Sequence, residues 1–254
     1  MTVAASPSPL ARAWSARWPF AAEVVLFLLL NVAYEWLRDL VAVEDVTRPL
    51  AHAAQVVDAE KALGLFVEID IHDWVQSVPV MEFLTTWGYT LGHTTGFVAM
   101  FLWVWFFRRD NFAMFRNWFW ITNGLAVIGY WIYPLAPPRL TDMGLADPTK
   151  ESLKLGGSLD WFQPFRNEFA AMPSMHVGYS FMFALALFFM LAPSRWRWLA
   201  FLWPATMLFV VMATANHWWL DGVGGAACVL LGLYIVTRIS GPDMLRPWQR
   251  PART

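Results

Sequence analysis

Charge is what this chain most lacks. Asp, Glu, Lys and Arg make up only 15% of its 254 residues, against about 25% in an ordinary soluble domain. The charges that exist cluster between long apolar runs, which excludes a soluble globular class and points to an integral membrane protein. Cysteine is nearly absent as well. The single Cys228 excludes an intrachain disulfide. There is no His-Glu-x-x-His segment and no cysteine pair, so the common signatures of a zinc hydrolase are missing. No internal repeat is visible, and transporters are often built from repeated halves. No small-residue cleavage site follows the first apolar run, which is therefore expected to stay as a membrane helix rather than leave as a signal peptide. No nucleic-acid partner is expected.

What is abundant is apolar. Hydrophobic residues reach 58%, with 17 Trp and 20 Phe. Six runs are long enough to span: Pro19 to about Leu37, then Met81–Phe107, Met114–Tyr133, Met175–Leu191, Trp196–Met212 and Trp219–Arg238. The fold class read from this is an all-α integral membrane protein with six transmembrane helices. The organisation expected is a disordered cytoplasmic tail over 1–18, a six-helix catalytic domain over 19–238 and a second cytoplasmic tail over 239–254. Asn31 and Glu35, four apart on the first run, should face protein or water, because a charge at mid-bilayer costs roughly 2.5–3.5 kcal/mol on insertion scales. Residues 38–80 hold the densest acids of the chain, among them Asp58, Glu60, Glu68 and Asp70. Apolar residues recur through them at helical spacing (Leu50, Ala54, Val57 and Leu65, with Lys61), which predicts an amphipathic interfacial segment between the first and second spans. A long outer loop, 134–174, separates the third span from the fourth, and at about 40 residues it exceeds the usual length of an idle connection. Its Trp161, Phe162, Phe165 and Phe169 suit a membrane interface.

Charge also orients the chain. Arg12, Arg17, Arg108, Arg109, Arg116, Arg195, Arg197 and the C-terminal arginines share one side, opposed there by Asp110 and Asp243. The positive-inside rule puts the termini in the cytoplasm and 38–80, 134–174 and 213–218 outside, in what is expected to be the plasma membrane. Three clusters then meet on the outer face: Ala136-Pro137-Pro138-Arg139, Pro173-Ser174-Met175-His176 and Asn216-His217-Trp218-Trp219-Leu220-Asp221.

These residue types suit phosphoryl transfer. His217 and Asp221 are four apart, which on a helix places them one turn apart on one face. The carboxylate can hold one ring nitrogen and leave the other as a nucleophile. Arg139 presents a planar fork that matches phosphate. His176, with an unperturbed pKa of about 6.5, suits a general acid. Ser174 and the N–H groups opening the fourth span could hold an anion, and Arg166 and Asn167 are candidate further phosphate ligands. Thr85, Tyr89 and His93 form a polar stripe on the second span, with Tyr89 and His93 as candidate pocket-lining residues. No metal ligand set and no cofactor is expected. Two rival readings are a metal-dependent membrane hydrolase and a transporter or scaffold without catalysis.

The clusters resemble the type 2 phosphatidic acid phosphatase superfamily of six-helix membrane enzymes acting on lipid phosphates. Its second motif, Pro-Ser-Gly-His, is similar to Pro173-Ser174-Met175-His176, and the His-x-x-x-Asp of its third motif matches His217 and Asp221. The resemblance implies a metal-independent mechanism through a phosphohistidine at His217, with His176 as general acid. Where the family's first motif has a lysine, this chain has Ile132, and where the third has an arginine, it has Val211. Leu140 replaces a proline and Met175 a glycine. With these losses the chain looks most like the branch containing inositol phosphorylceramide synthases, whose members move a phospho-headgroup between lipids. The partners implied are a lipid phosphate or phospholipid substrate, the bilayer, and an alcohol acceptor such as inositol or a second lipid. Hydrolysis and headgroup transfer both remain open, since they differ only in whether water or an alcohol resolves the phosphohistidine.

Overall fold

The computed structural model describes residues 18–148 and 167–240, without the side chains of His93, Thr94 and Ser240. The expected tails (apart from Trp18, Ile239 and Ser240), together with Lys150, Lys154, Trp161, Phe162, Phe165 and Arg166, lie outside the described residues. Among the described residues there are nine α-helices and no strand. They are α1 (Phe20–Leu40), α2 (Thr47–Ala62), α3 (Glu68–Gln76), α4 (Pro79–Trp87), α5 (His93–Phe107), α6 (Arg109–Ile132), α7 (Met175–Met190), α8 (Leu202–Ala213) and α9 (Trp219–Ser240).

Three stretches are long and apolar enough to cross a bilayer by themselves: α1, Arg195–Ala213 and Trp219–Ile239. A fourth follows if α4 and α5, bent by 45° about a π-helical turn at Gly88–Gly92, count as one. The other two expected spans take a different form. Helix α6 has 24 residues but carries Asn111, Arg116, Asn117, Thr122 and Asn123, all buried. Helix α7 is apolar, yet at about 1.5 Å per residue its 16 residues reach roughly 24 Å, short of a ~30 Å hydrocarbon core. Both are largely buried among neighbouring helices, while α6 exposes Ile128, Trp131 and Ile132 toward its end.

Helix α9 lies along α6 and α7, and α7 along α8. Small residues set those distances. A Cβ on Gly225 would stand 2.2 Å from the carbonyl oxygen of Ser174, and one on Gly232 2.4 Å from Thr122 Oγ1. Without a hydrophobic force between helices in lipid, such close backbone approach is what holds a bundle together. Around it pack Phe97, Phe115, Trp118, Phe119, Tyr179 and Phe183, with Trp118 Nε1 donating to Val229 O at 2.8 Å. Helix α1 turns Val25, Leu28, Leu29, Val32 and Trp36 outward.

The arginines at one end of the bundle are tied to backbone or to acid. Arg108 donates to Met190 O (2.8 Å) and Arg109 to Trp18 O (2.6 Å), while Arg116 forms a buried pair with Glu23 (2.6 Å). The amphipathic region also departs from the sequence reading. Helix α2 buries Pro49, Ala53, Val56, Val57 and Glu60, whereas Leu50, Ala54, Lys61 and Leu65 are exposed. The inward stripe is one position away from the expected one, because it is set by the apolar contact of Ala53, Val56 and Val57 with Leu135, Ala171 and Trp218 from remote segments and ends on the buried Glu60.

Gly225→Ala will lower the stability of the purified protein by about 1–3 kcal/mol, the usual cost of overpacking. Gly124→Ala, where no atom lies within 4 Å, will be neutral or stabilising by up to ~1 kcal/mol. Thermal unfolding in one detergent compares the two.

Candidate active site

Five backbone-anchored hydrogen bonds lock the three sequence clusters together. Leu135 N donates to Phe169 O (2.8 Å), joining the chain just after α6 to the segment that leads into α7. Arg139 N donates to Ala215 O (3.0 Å), Ser174 N to Asp221 O (2.9 Å), Trp218 Nε1 to Ala136 O (3.0 Å), and His217 Nδ1 to Ala171 O (2.9 Å). Trp218 is fully buried against Ala53, Val56, Val57, Leu135 and Ala171, so α2 forms a roof over the junction.

His217 and Asp221 meet, but not as neighbours on a helix. His217 lies in the turn before α9, and Asp221 in the first turn of that helix. The turn is built by the end of α8. Ala215 N donates to Met212 O (2.9 Å) and Asn216 N to Val211 O (3.0 Å), with Ala215 at φ 52°. That is a Schellman ending, in which glycine usually fills the left-handed position. A buried alanine there carries strain, as residues beside functional sites often do. Val211, where the family's third motif has a cation, is itself buried, and its carbonyl caps α8.

Asp221 Oδ2 accepts from Trp218 N (3.0 Å) and from His217 Nδ1 (3.2 Å). Both partners of Nδ1, the Ala171 carbonyl and the Asp221 carboxylate, are acceptors. Nδ1 therefore carries the proton and Nε2 the lone pair. Asp221 is fully buried and His217 nearly so.

His217 lines a cavity of about 520 Å³ together with His176, Tyr89, Arg139, Asn167 and Asn216. The two histidine rings stand 5.6 Å apart, and Tyr89 stacks on His176 at 4.3 Å and 20°. Arg139 Nε donates to Asp147 Oδ2 at 3.1 Å, a partly buried pair that aims the guanidinium. Asn167 reaches the cavity while its side chain braces two backbones, Nδ2 donating to Arg38 O (3.0 Å) and Oδ1 accepting from Phe169 N (3.1 Å). Ser174 is not among the lining residues. Its side chain is fully buried, and its Oγ has no hydrogen-bond partner among the described residues. The side chain of His93, like Arg166, lies outside the described residues. Ile132 is exposed on the outside of the bundle, away from the cavity wall.

The structure adds a wall that the sequence reading left unassigned. Asn31, Tyr34, Glu35 and Arg38 of α1 line the same cavity, with Asn123, Tyr130 and Tyr179 beside them. Glu35 and Arg38 are paired at 2.7 Å, and Tyr179 hydrogen-bonds Asn123. The signal was present: 31, 34, 35 and 38 follow the helical i, i+3, i+4, i+7 pattern. Among the described residues, no three of His, Cys, Asp and Glu converge as a metal would require.

A sequence model of the PAP2 superfamily matches residues 54–235. No curated protein and no solved structure matches the chain.

Trp218→Phe keeps an aromatic side chain but removes the indole N–H and strands the Ala136 carbonyl. The expected loss is about 1–3 kcal/mol, the cost of a buried unsatisfied group, read from thermal unfolding.

Proposed function

The chain belongs to the PAP2 superfamily, and from that premise we propose that it is a membrane lipid-phosphate phosphatase or phospho-headgroup transferase working through a phosphohistidine at His217. Membership supports a phosphatase-type enzyme acting on lipid phosphates at a membrane. The observation that carries the finer reading is the fixed tautomer of His217. Its Nδ1–H is spent on Ala171 O and Asp221 Oδ2, which leaves Nε2 as a nucleophile in a cavity it shares with His176 and Arg139.

The steps follow from these positions. Arg139 draws the phosphate oxygens with a fork held by Asp147. His217 Nε2 attacks phosphorus, and Asp221 stabilises the imidazolium that forms. His176 protonates the departing oxygen and then takes the proton of the water or alcohol that resolves the intermediate. This sequence of steps calls on no metal. With Val211 capping α8 and Ile132 on the outside, Arg38, which lines the same cavity, is our candidate for the second cation. The α1 wall leaves room for a group beyond the phosphate, which favours headgroup transfer and a place near the inositol phosphorylceramide synthase-like branch.

In this reading the bundle crosses the membrane six times, α6 and α7 being the largely buried spans. The arginine-rich end is cytoplasmic and the cavity opens outward, as the positive-inside rule directs. The plasma membrane is the proposed location.

His217→Ala should abolish turnover and any acid-labile phosphoenzyme when the purified protein is given a labelled panel of lipid phosphates. Near-normal activity of that variant across the panel would sink the mechanism. Asp221→Asn should slow turnover by at least ~100-fold, the scale of acid–base support. In the same assay, released inorganic phosphate marks hydrolysis and a new labelled lipid marks transfer.

A further inference from the structure

The first turn of a helix leaves backbone N–H groups without helical partners. A serine, threonine or aspartate at the cap usually takes them, but the residue before α9 is Trp218, which has no acceptor. Two glutamates from distant helices do the work instead. Trp219 N donates to Glu68 Oε1 at 2.9 Å and Leu220 N to Glu60 Oε1 at 3.2 Å. Glu60 ends the buried face of α2, and Glu68 begins α3, where its Oε2 also accepts from Val67 N at 3.0 Å. Both side chains are fully buried, and because they accept from consecutive backbone N–H groups their carboxyl groups lie side by side, with Glu60 Oε2 lacking a hydrogen-bond partner among the described residues.

Two carboxyl groups held side by side and out of water cannot both stay ionised. Glu60 is the carrier: burial foremost, and the charge of Glu68 second, push its carboxyl up to about 9. The ionisable groups that face the pair are Asp221, which adds to the same push, and beyond it His217, hydrogen-bonded to Asp221.

The arrangement does more than hold a helix. Asp221 sits one residue past Leu220, so the capped turn is the one that carries the aspartate gripping His217. We propose that Glu60 and Glu68 are positioning residues for catalysis, a carboxyl pair sharing one proton that fastens the roof helices to the nucleophile turn and lets go when that proton is lost. Above the transition, the repelling carboxylates part and the cap opens. His217 then keeps its neighbours but loses its aim. This rests on the reading of His217 as the nucleophile. Because the folded-state value of Glu60 is raised, its stabilisation is complete below the ordinary glutamate range and is lost as pH rises through about 9.

The test follows kcat, KM and thermal unfolding from pH 5 to 10 in the detergent-purified full chain, with short-chain phosphatidic acid as probe. The wild type is expected to lose unfolding temperature progressively from the ordinary glutamate range up to about pH 9, and kcat as pH rises through about 9, with KM little changed. Glu60→Gln keeps an acceptor for Leu220 N and carries no titrating proton, so the fall in unfolding temperature and the kcat step near pH 9 should disappear from its profile, leaving only the alkaline limb that the general acid His176 sets. Glu60→Ala removes the acceptor and should lower kcat by at least ~10-fold at every pH, as a small misplacement of a reacting group does. An unchanged alkaline loss in Glu60→Gln would overturn the proposal, as would wild-type kcat in a folded Glu60→Ala. The unfolding profile is independent of turnover, so it judges the pair even if His217→Ala stays active and the nucleophile reading falls.

Discussion

One ring nitrogen organises this end of the molecule. His217 Nδ1 is caught between Ala171 O and Asp221 Oδ2, and each of those acceptors belongs to a segment anchored elsewhere. Ala171 follows the bridge between Leu135 and Ala170, while Asp221 returns a carbonyl to Ser174 N. If the ring turned, a buried carboxylate and a buried carbonyl would both lose a partner, at a cost of a few kcal/mol. The tautomer is thus imposed by packing rather than chosen by the histidine. The strained Ala215, the α8 ending and the roof of α2 all serve to place that ring.

A membrane setting explains why the site is built at helix ends. Backbone N–H and C=O groups must find partners inside protein where water is scarce. The junction answers this by joining loop to loop and side chain to helix start, and the Glu60–Glu68 pair is the costliest piece. An apolar contact in its place would be cheaper in stability, and the helix start would then lose its cap. The polar stripe of α1 follows the same logic. Its outward positions are Val, Leu and Trp, and the inward ones carry Asn31, Tyr34, Glu35 and Arg38.

Much of this was legible along the chain. Low charge and long apolar runs announced membrane helices, and the helix starts at Met175 and Trp219 sit where the apolar runs begin. The Asn31/Glu35 spacing announced an inward polar face. What misled was the assumption that residues four apart share a helix: His217 and Asp221 meet because a turn folds back on a helix start. The register of α2 slipped for a related reason. Its buried face is selected by apolar side chains from remote segments and by a helix N-terminus, so it includes a glutamate that hydrophobic periodicity counts as outward.

The sequence alone determined the class of the molecule and the chemical kinds at its site, because composition and spacing report what each segment can bury. It also set which end of the chain's helices carries the arginines. Only the tertiary structure decided which nitrogen of His217 is left bare, that Arg38 shares its cavity, and that two glutamates, 151 and 160 positions before Trp219 and Leu220, hold the helix start that follows it. Those are contacts between segments remote in the chain. No local period records them, since each partner satisfies its own helix or loop equally well until the bundle closes.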